Sequence, residues 1–154
     1  MKLTATLVSG LLATTASAAF DKWAPWGKRD YSCINVYQGV PENATLAPNW
    51  DVEIGFNRNS GRCGTLYDNF PSGNYSLWLH NNPVLDMGFV KSDYQLKLQD
   101  GIPNTAGRIT FSLPDDLPDV DDDTVWYLRL DTYLPTAPQM PSLFNAMGPF
   151  RLVR

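Results

Sequence analysis

Between Asp115 and Leu130 the chain reads DDLPDVDDDTVWYLRL, six aspartates broken by Leu117, Pro118 and Val120 and followed by an aromatic and aliphatic run. Carboxylates at this density can hold a hard cation, work as a general acid and base, or simply solvate a turn. Asp119, Asp121 and Asp123 reproduce the first three ligands of a D-x-D-x-D calcium loop, but Thr124 and Leu130 stand where an EF-hand needs glycine and a terminal glutamate. Carboxylates can also bind calcium weakly outside an EF-hand with help from backbone oxygens, and that alternative stays open. A glycosidase pair requires two carboxyls facing one cleft about 5–10 Å apart, one with its proton affinity raised. Adjacent aspartates bounded by Pro114 and Pro118 do not meet that condition, so the expectation is a solvated loop without catalytic or metal duty.

Other catalytic chemistry has few residues to work with. His80 is the single histidine, Cys33 and Cys63 are the two cysteines, and no G-x-S-x-G phrase occurs. A Ser-His-Asp arrangement is formally available but lacks its nucleophile elbow. Two thiols and one distant histidine do not compose a zinc site. Copper chemistry of the polysaccharide-oxygenase kind needs a histidine at the mature amino terminus, where Ala19 or Phe20 would stand. The reading is therefore no enzyme, no cofactor and no catalytic residue.

Aromatic residues point instead to binding, because flat rings stack on sugars and contribute large contact areas. Of the five tryptophans, Trp50, Trp78 and Trp126 fall in alternating stretches, where at least two are expected in the core. Trp23 and Trp26 lie outside those stretches in the segment AFDKWAPWGKR and are the candidate binding pair, with packing against the end of the fold as the alternative.

The elements that must position these residues are strands. Trp50, Val52, Ile54 and Phe56 alternate with polar residues and glycine, as do Tyr75, Leu77 and Leu79, then Tyr94, Leu96 and Leu98, then Ile109, Phe111 and Leu113. This is the period-2 pattern of half-buried strands. Ser32–Gln38, Val84–Val90, Val125–Tyr133 and Phe150–Val153 are added as strands, separated by turn phrases such as PSGN, NNP and DG. Seven to eight short strands and no helical stripe predict an all-β, antiparallel sandwich of the immunoglobulin or fibronectin III type, with a barrel as runner-up. Residues 135–149 read as a long proline-containing loop.

The first eighteen residues carry Lys2, an apolar stretch from Leu7 to Ala13 and the ending Ala16-Ser17-Ala18, the layout of a secretory signal peptide. Export favours a Cys33–Cys63 disulfide, which closes a loop of about 30 residues and stabilises by roughly 3–4 kcal/mol. Two sequons place glycosylation at Asn43 and Asn74. The organisation expected is a signal peptide at 1–18, an arm at 19–30 and one sandwich domain at 31–154. Lys28-Arg29 in the arm is either a dibasic processing site or a pair of solvated charges. A net charge of −4 gives no footprint for nucleic acid or an anionic membrane. The closing FRLVR is not the apolar tail of a lipid anchor, so no membrane anchor is expected.

The order of strand phrases WDVEIGF (50–56), FSLPDDLP (111–118), WYLRL (126–130) and GPFRL (148–152) resembles the N-terminal immunoglobulin-like domain of the yeast cell-wall synthesis (killer-toxin-resistance) family. That family is linked to β-1,6-glucan assembly, and related domains occur in Ser/Thr-rich fungal surface proteins. Phe111, Leu113, Pro114, Asp116 and Leu117 occupy the places of its strand-ending phrase. The chain departs in lacking a Ser/Thr-rich stalk, in its long segment before the last strand, and in its cysteine pair. The resemblance implies a secreted or wall-associated fungal module that contacts cell-wall polysaccharide or an extracellular protein, and it supplies no catalytic residues. The rival expectations are a secreted effector or antigen binding a host protein, and a small carbohydrate-active hydrolase.

Overall fold

The structure, a computed structural model, describes residues 34–58, 65–86, 89–135 and 143–154. Ten strands and one short helix follow in the order β1 (Ile34–Gln38), β2 (Thr45–Leu46), β3 (Asp51–Arg58), α1 (Leu66–Asn69), β4 (Asn74–Asn81), β5 (Val84–Asp86), β6 (Phe89–Lys91), β7 (Tyr94–Pro103), β8 (Arg108–Ser112), β9 (Trp126–Tyr133) and β10 (Leu143–Leu152). A three-stranded sheet, β1-β3-β8, packs on a five-stranded sheet, β2-β10-β9-β4-β7, and β5 and β6 form a separate hairpin. The pairings are antiparallel except β2 with β10, where Thr45 and Leu46 run parallel to Arg151 and Leu152. The chain is all-β in two packed layers, as alternation predicts.

Alternation explains the core directly. Ile54 and Phe56 of β3 and Ile109 and Phe111 of β8 meet Tyr75, Leu77 and Leu79 of β4 and Trp126, Leu128 and Leu130 of β9, all buried in one cluster. Aromatic edges meet both between and within the layers: Phe56 of the small sheet meets Tyr75 of the large one at 5.4 Å between centroids, and Tyr94 meets Trp126 at 6.2 Å within the large sheet, both T-shaped. Such contacts add about 0.5–1.5 kcal/mol each beyond area burial.

Four features depart from the sequence reading. The stretch Val84–Val90 is two short strands rather than one, and β2 is an added two-residue strand, so the described residues form ten strands where seven to eight were expected. Half of the expected 135–149 loop is strand, because β10 begins at Leu143 and pairs with β9 from Leu143↔Thr132 to Met147↔Leu128. Its register then shifts before Phe150↔Trp126, at Gly148, whose φ is +127°. A Cβ there would stand 2.7 Å from the Trp126 carbonyl, so both the backbone and the close approach require glycine. The third departure is the tryptophans: of the three among the described residues, Trp126 is fully buried, Trp78 is half-buried on the outer face of β4, and Trp50 is 61% exposed. Trp50 does lie on the inward-facing parity of β3, but it stands one residue before the strand, where the sandwich ends. Fourth, β4 buries both faces, with Ser76 and His80 as enclosed as Leu77 and Leu79.

Truncation should separate these environments. Leu77→Ala is expected to cost about 2–5 kcal/mol by leaving a cavity in the central sheet, whereas Trp50→Ala should change stability by within about 0.5 kcal/mol. Urea denaturation of both variants checks this, and a large loss in Trp50→Ala would contradict its exposed placement.

Candidate functional site

The residues of the candidate site lie at one end of the sandwich, where the β2–β3 turn, the β8–β9 loop and the end of β10 converge. The turn Ala47-Pro48-Asn49-Trp50 closes by a hydrogen bond from the Trp50 amide to the Ala47 carbonyl (3.4 Å), and Asn49 has φ +61°. Proline second and a left-handed asparagine third is type II turn chemistry. The Asn49 amide nitrogen donates to the Leu113 carbonyl (2.8 Å), and its side chain donates to Asp115 (3.4 Å), which ties the turn to the acidic loop. Trp50 is thereby held outward on a braced turn.

Beside it is a cavity of about 440 Å³ lined by Ala47, Pro48, Leu117, Leu152 and Val153, with Asp115 and Arg154 supplying the charge. The volume falls within the range of small-molecule sites, about 300–1,000 Å³. Arg154 is fixed: its guanidinium donates to the Leu117 carbonyl (2.7 Å) and the Pro118 carbonyl, and pairs with Asp119 (3.4 Å) and Asp123 (3.3 Å).

The acidic loop is correspondingly more structured than a solvated turn. Asp123 accepts the Trp126 indole N–H (3.1 Å) as well as Arg154, and its carbonyl accepts the Leu152 amide (2.9 Å). Asp122 accepts the Thr124 amide (2.8 Å) and hydroxyl, which hold its carboxyl below the usual range, and its carbonyl accepts the Asn81 side chain (2.8 Å). Asp115, Asp116, Asp119 and Asp121 stay exposed. Among the described residues, no group of three or more His, Cys, Asp or Glu is placed to hold a metal ion.

A second polar cluster lies on the outer face of the large sheet. His80 is 1% exposed, and its Nδ1 sits 2.8 Å from the Ser92 hydroxyl. Burial first, and then the nearby Arg129, lower its pKa to about 3, so the ring is neutral at physiological pH. Arg129 on β9 forks onto Asp131 with distances of 2.6 and 2.7 Å and lies over the Phe144 ring, while Lys97 covers Trp78 at 5.1 Å. Burial pushes the Asp131 carboxyl up, opposed by Arg129. The carboxylate is committed to arginine, and a base of such low proton affinity is poorly matched to activating Ser92 at neutral pH. This cluster reads as structural.

Of the residues singled out in the sequence, Asn43 is exposed in a left-handed turn with φ +59°, and its backbone amide donates to the Pro149 carbonyl. Asn74 opens β4, half-buried, with its side-chain oxygen enclosed. Cys33, Cys63, Trp23, Trp26 and the Lys28-Arg29 pair lie outside the described residues. Trp50 was missed as a surface aromatic because alternation reports which face a residue takes and not where the opposing sheet stops. The A-P-N-W turn phrase was the available signal.

The chain matched no protein-family model, no curated protein and no solved structure.

The neutral buried His80 has a consequence for acid stability. Its folded pKa lies below the ordinary 6.5, so its contribution is present above that value and is lost as the pH falls towards 3. The loss is at most about 1.4 kcal/mol per pH unit. Asp131, with its pKa raised, acts in the opposite sense and more weakly offsets it. Urea midpoints at pH 7 and 4.5 should fall steeply in the wild type and less in His80→Gln. Equal slopes would contradict a neutral, buried His80.

Proposed function

We propose that this protein is a secreted, non-enzymatic binding module with an immunoglobulin-like sandwich, acting at the fungal cell wall or extracellular matrix through glycan contacts at one end of the sandwich. The observation that carries the reading is the exposed Trp50 on a braced type II turn whose Ala47 and Pro48 line the 440 Å³ cavity. An exposed indole on a rigid turn next to a part-apolar hollow suits sugar stacking, because the aromatic face is presented without having to be ordered on binding.

The strand order supports the immunoglobulin-like assignment. Strands β10-β9-β4-β7 stand in the order of the G, F, C and C′ strands of a variable-type domain, opposite β1-β3-β8 in the order A, B, E. In antibody domains a disulfide joins the two sheets. Here the cysteines flank two strands of one sheet: Cys33 precedes β1 and Cys63 follows β3. The pairing Ile34↔Arg58 brings those strand ends together, which favours a Cys33–Cys63 bridge. The signal-like leader supports export. The exposed turn at Asn43 favours glycosylation there over Asn74, whose enclosed oxygen disfavours an attached sugar. The resemblance to the yeast cell-wall synthesis family is consistent with wall polysaccharide as the partner.

Sedimentation with insoluble fungal-wall polysaccharide, coupled to a reducing-sugar assay, tests the proposal. The wild type should co-sediment without releasing sugar, and Trp50→Ala should bind at least about fivefold more weakly, the loss expected for one aromatic contact. Sugar release would make the protein a hydrolase. Failure to sediment would shift the reading to an extracellular protein partner.

A further inference from the structure

The charge distribution around the pocket narrows the ligand. Six aspartates occupy 115–123, whereas the cations on the converging segments are Arg151 and Arg154, and the sequence after Lys97 contains no lysine. Arg154 is already engaged by two carbonyls and two carboxylates, so its charge is spent within the wall of the cavity. Asp115 differs from its neighbours. It lines the cavity, is exposed, and accepts one long hydrogen bond, the 3.4 Å contact from Asn49. The remaining wall is apolar, formed by Ala47, Pro48, Leu117, Leu152 and Val153. The hollow therefore combines an aliphatic lining, one available carboxylate and a surrounding negative field, and the turn that lends it Ala47 and Pro48 also carries the exposed Trp50.

Resting on the binding reading above, we infer that this pocket takes an ammonium-bearing sugar, a glucosamine unit of a deacetylated amino-sugar polymer. The pyranose ring offers a C–H face to Trp50 and the aliphatic wall, while its ammonium meets Asp115 as a charge-assisted hydrogen-bond donor. A neutral hexose would shield that carboxylate from water without supplying a countercharge, and a polyanionic glycan would be repelled by the whole loop. A lysine side chain carries the same charge, but on a flexible stem that must be ordered on binding, whereas the sugar ring is rigid.

Calorimetric titration at low salt with three hexasaccharides, β-1,4-linked glucosamine, its fully N-acetylated form and a neutral β-glucan, together with an oligolysine peptide, tests the inference. The glucosamine hexamer should bind at least about tenfold more tightly than either neutral oligomer, and the margin should shrink in 0.5 M salt as screening shortens to about 4 Å. Asp115→Asn and Trp50→Ala, both exposed changes, should each weaken it about fivefold or more with unchanged melting temperature. Equal binding of neutral and cationic sugars would overturn the inference while leaving glycan binding intact. Oligolysine binding as tightly as glucosamine, or glucosamine binding that ignores both substitutions, would overturn it by removing sugar specificity or the site. Absence of binding to every sugar would overturn it together with the glycan reading.

Discussion

The hydrogen bonds that fasten the acidic loop to the end of the sandwich are the constraint on which the candidate site depends. The Trp126 indole and the Arg154 guanidinium converge on Asp123 from the start of β9 and the end of β10, while the Asp123 carbonyl takes the Leu152 amide. Clustered aspartates repel one another, and on an unfastened loop they would spread into water. Arg154, donating to the Leu117 and Pro118 carbonyls, neutralises part of that repulsion and curls the loop back over Leu152. Leu117 is buried as a result, and the hollow beside it acquires its apolar floor. Charge-assisted bonds to carbonyls and carboxylates are among the stronger hydrogen bonds available, about 1.5–3 kcal/mol.

From that fixed loop the rest of the surface follows. Leu113 and Asp115 receive the backbone and side chain of Asn49, whose left-handed conformation turns the chain at Ala47–Trp50. The turn in turn leaves Trp50 exposed, two residues along the chain from Pro48 of the cavity wall. The site is thus carried by loops, but by loops braced against two strand ends, which is how a small sandwich can present a preorganised surface without a large core. The large sheet's outer face solves a different problem. There Arg129 and Asp131 pair under partial burial, fully enclosed His80 meets the Ser92 hydroxyl, and their chemistry is spent on stability.

Much of the fold was legible in the sequence, since period-2 alternation states which side of a sheet each residue takes. Ile54, Phe56, Tyr75, Leu77, Leu79, Ile109, Phe111 and Leu113 stand on the alternating faces and are buried, whereas Val52, Tyr94, Leu96 and Leu98, on the same pattern, are only partly buried. What alternation omits is extent. It gave Trp50 the parity of Ile54 but could not show that the facing sheet ends before reaching it. It also hid β10 behind the prolines of 135–149, because the pairing of Leu143 to Met147 comes from β9, far away in sequence. β2, two residues long, has no period to detect. The acidic loop was read from its charge alone, whereas its order comes from carbonyl and carboxylate contacts with Arg154, Asn81 and Trp126, none of which has a local sequence signature.

The central claim, that Arg154 and Trp126 fasten the acidic loop and so build the site, is tested most directly by native-state amide and indole hydrogen exchange. In the wild type the Leu152 and Thr124 amides and the Trp126 indole N–H should be protected. In Arg154→Ala all three should exchange at least about tenfold faster, the size expected for losing a charge-assisted contact, while the Leu77 and Leu128 amides should be unchanged. Unprotected Leu152 and Trp126 protons in the wild type, or protection that survives the loss of Arg154, would contradict the account.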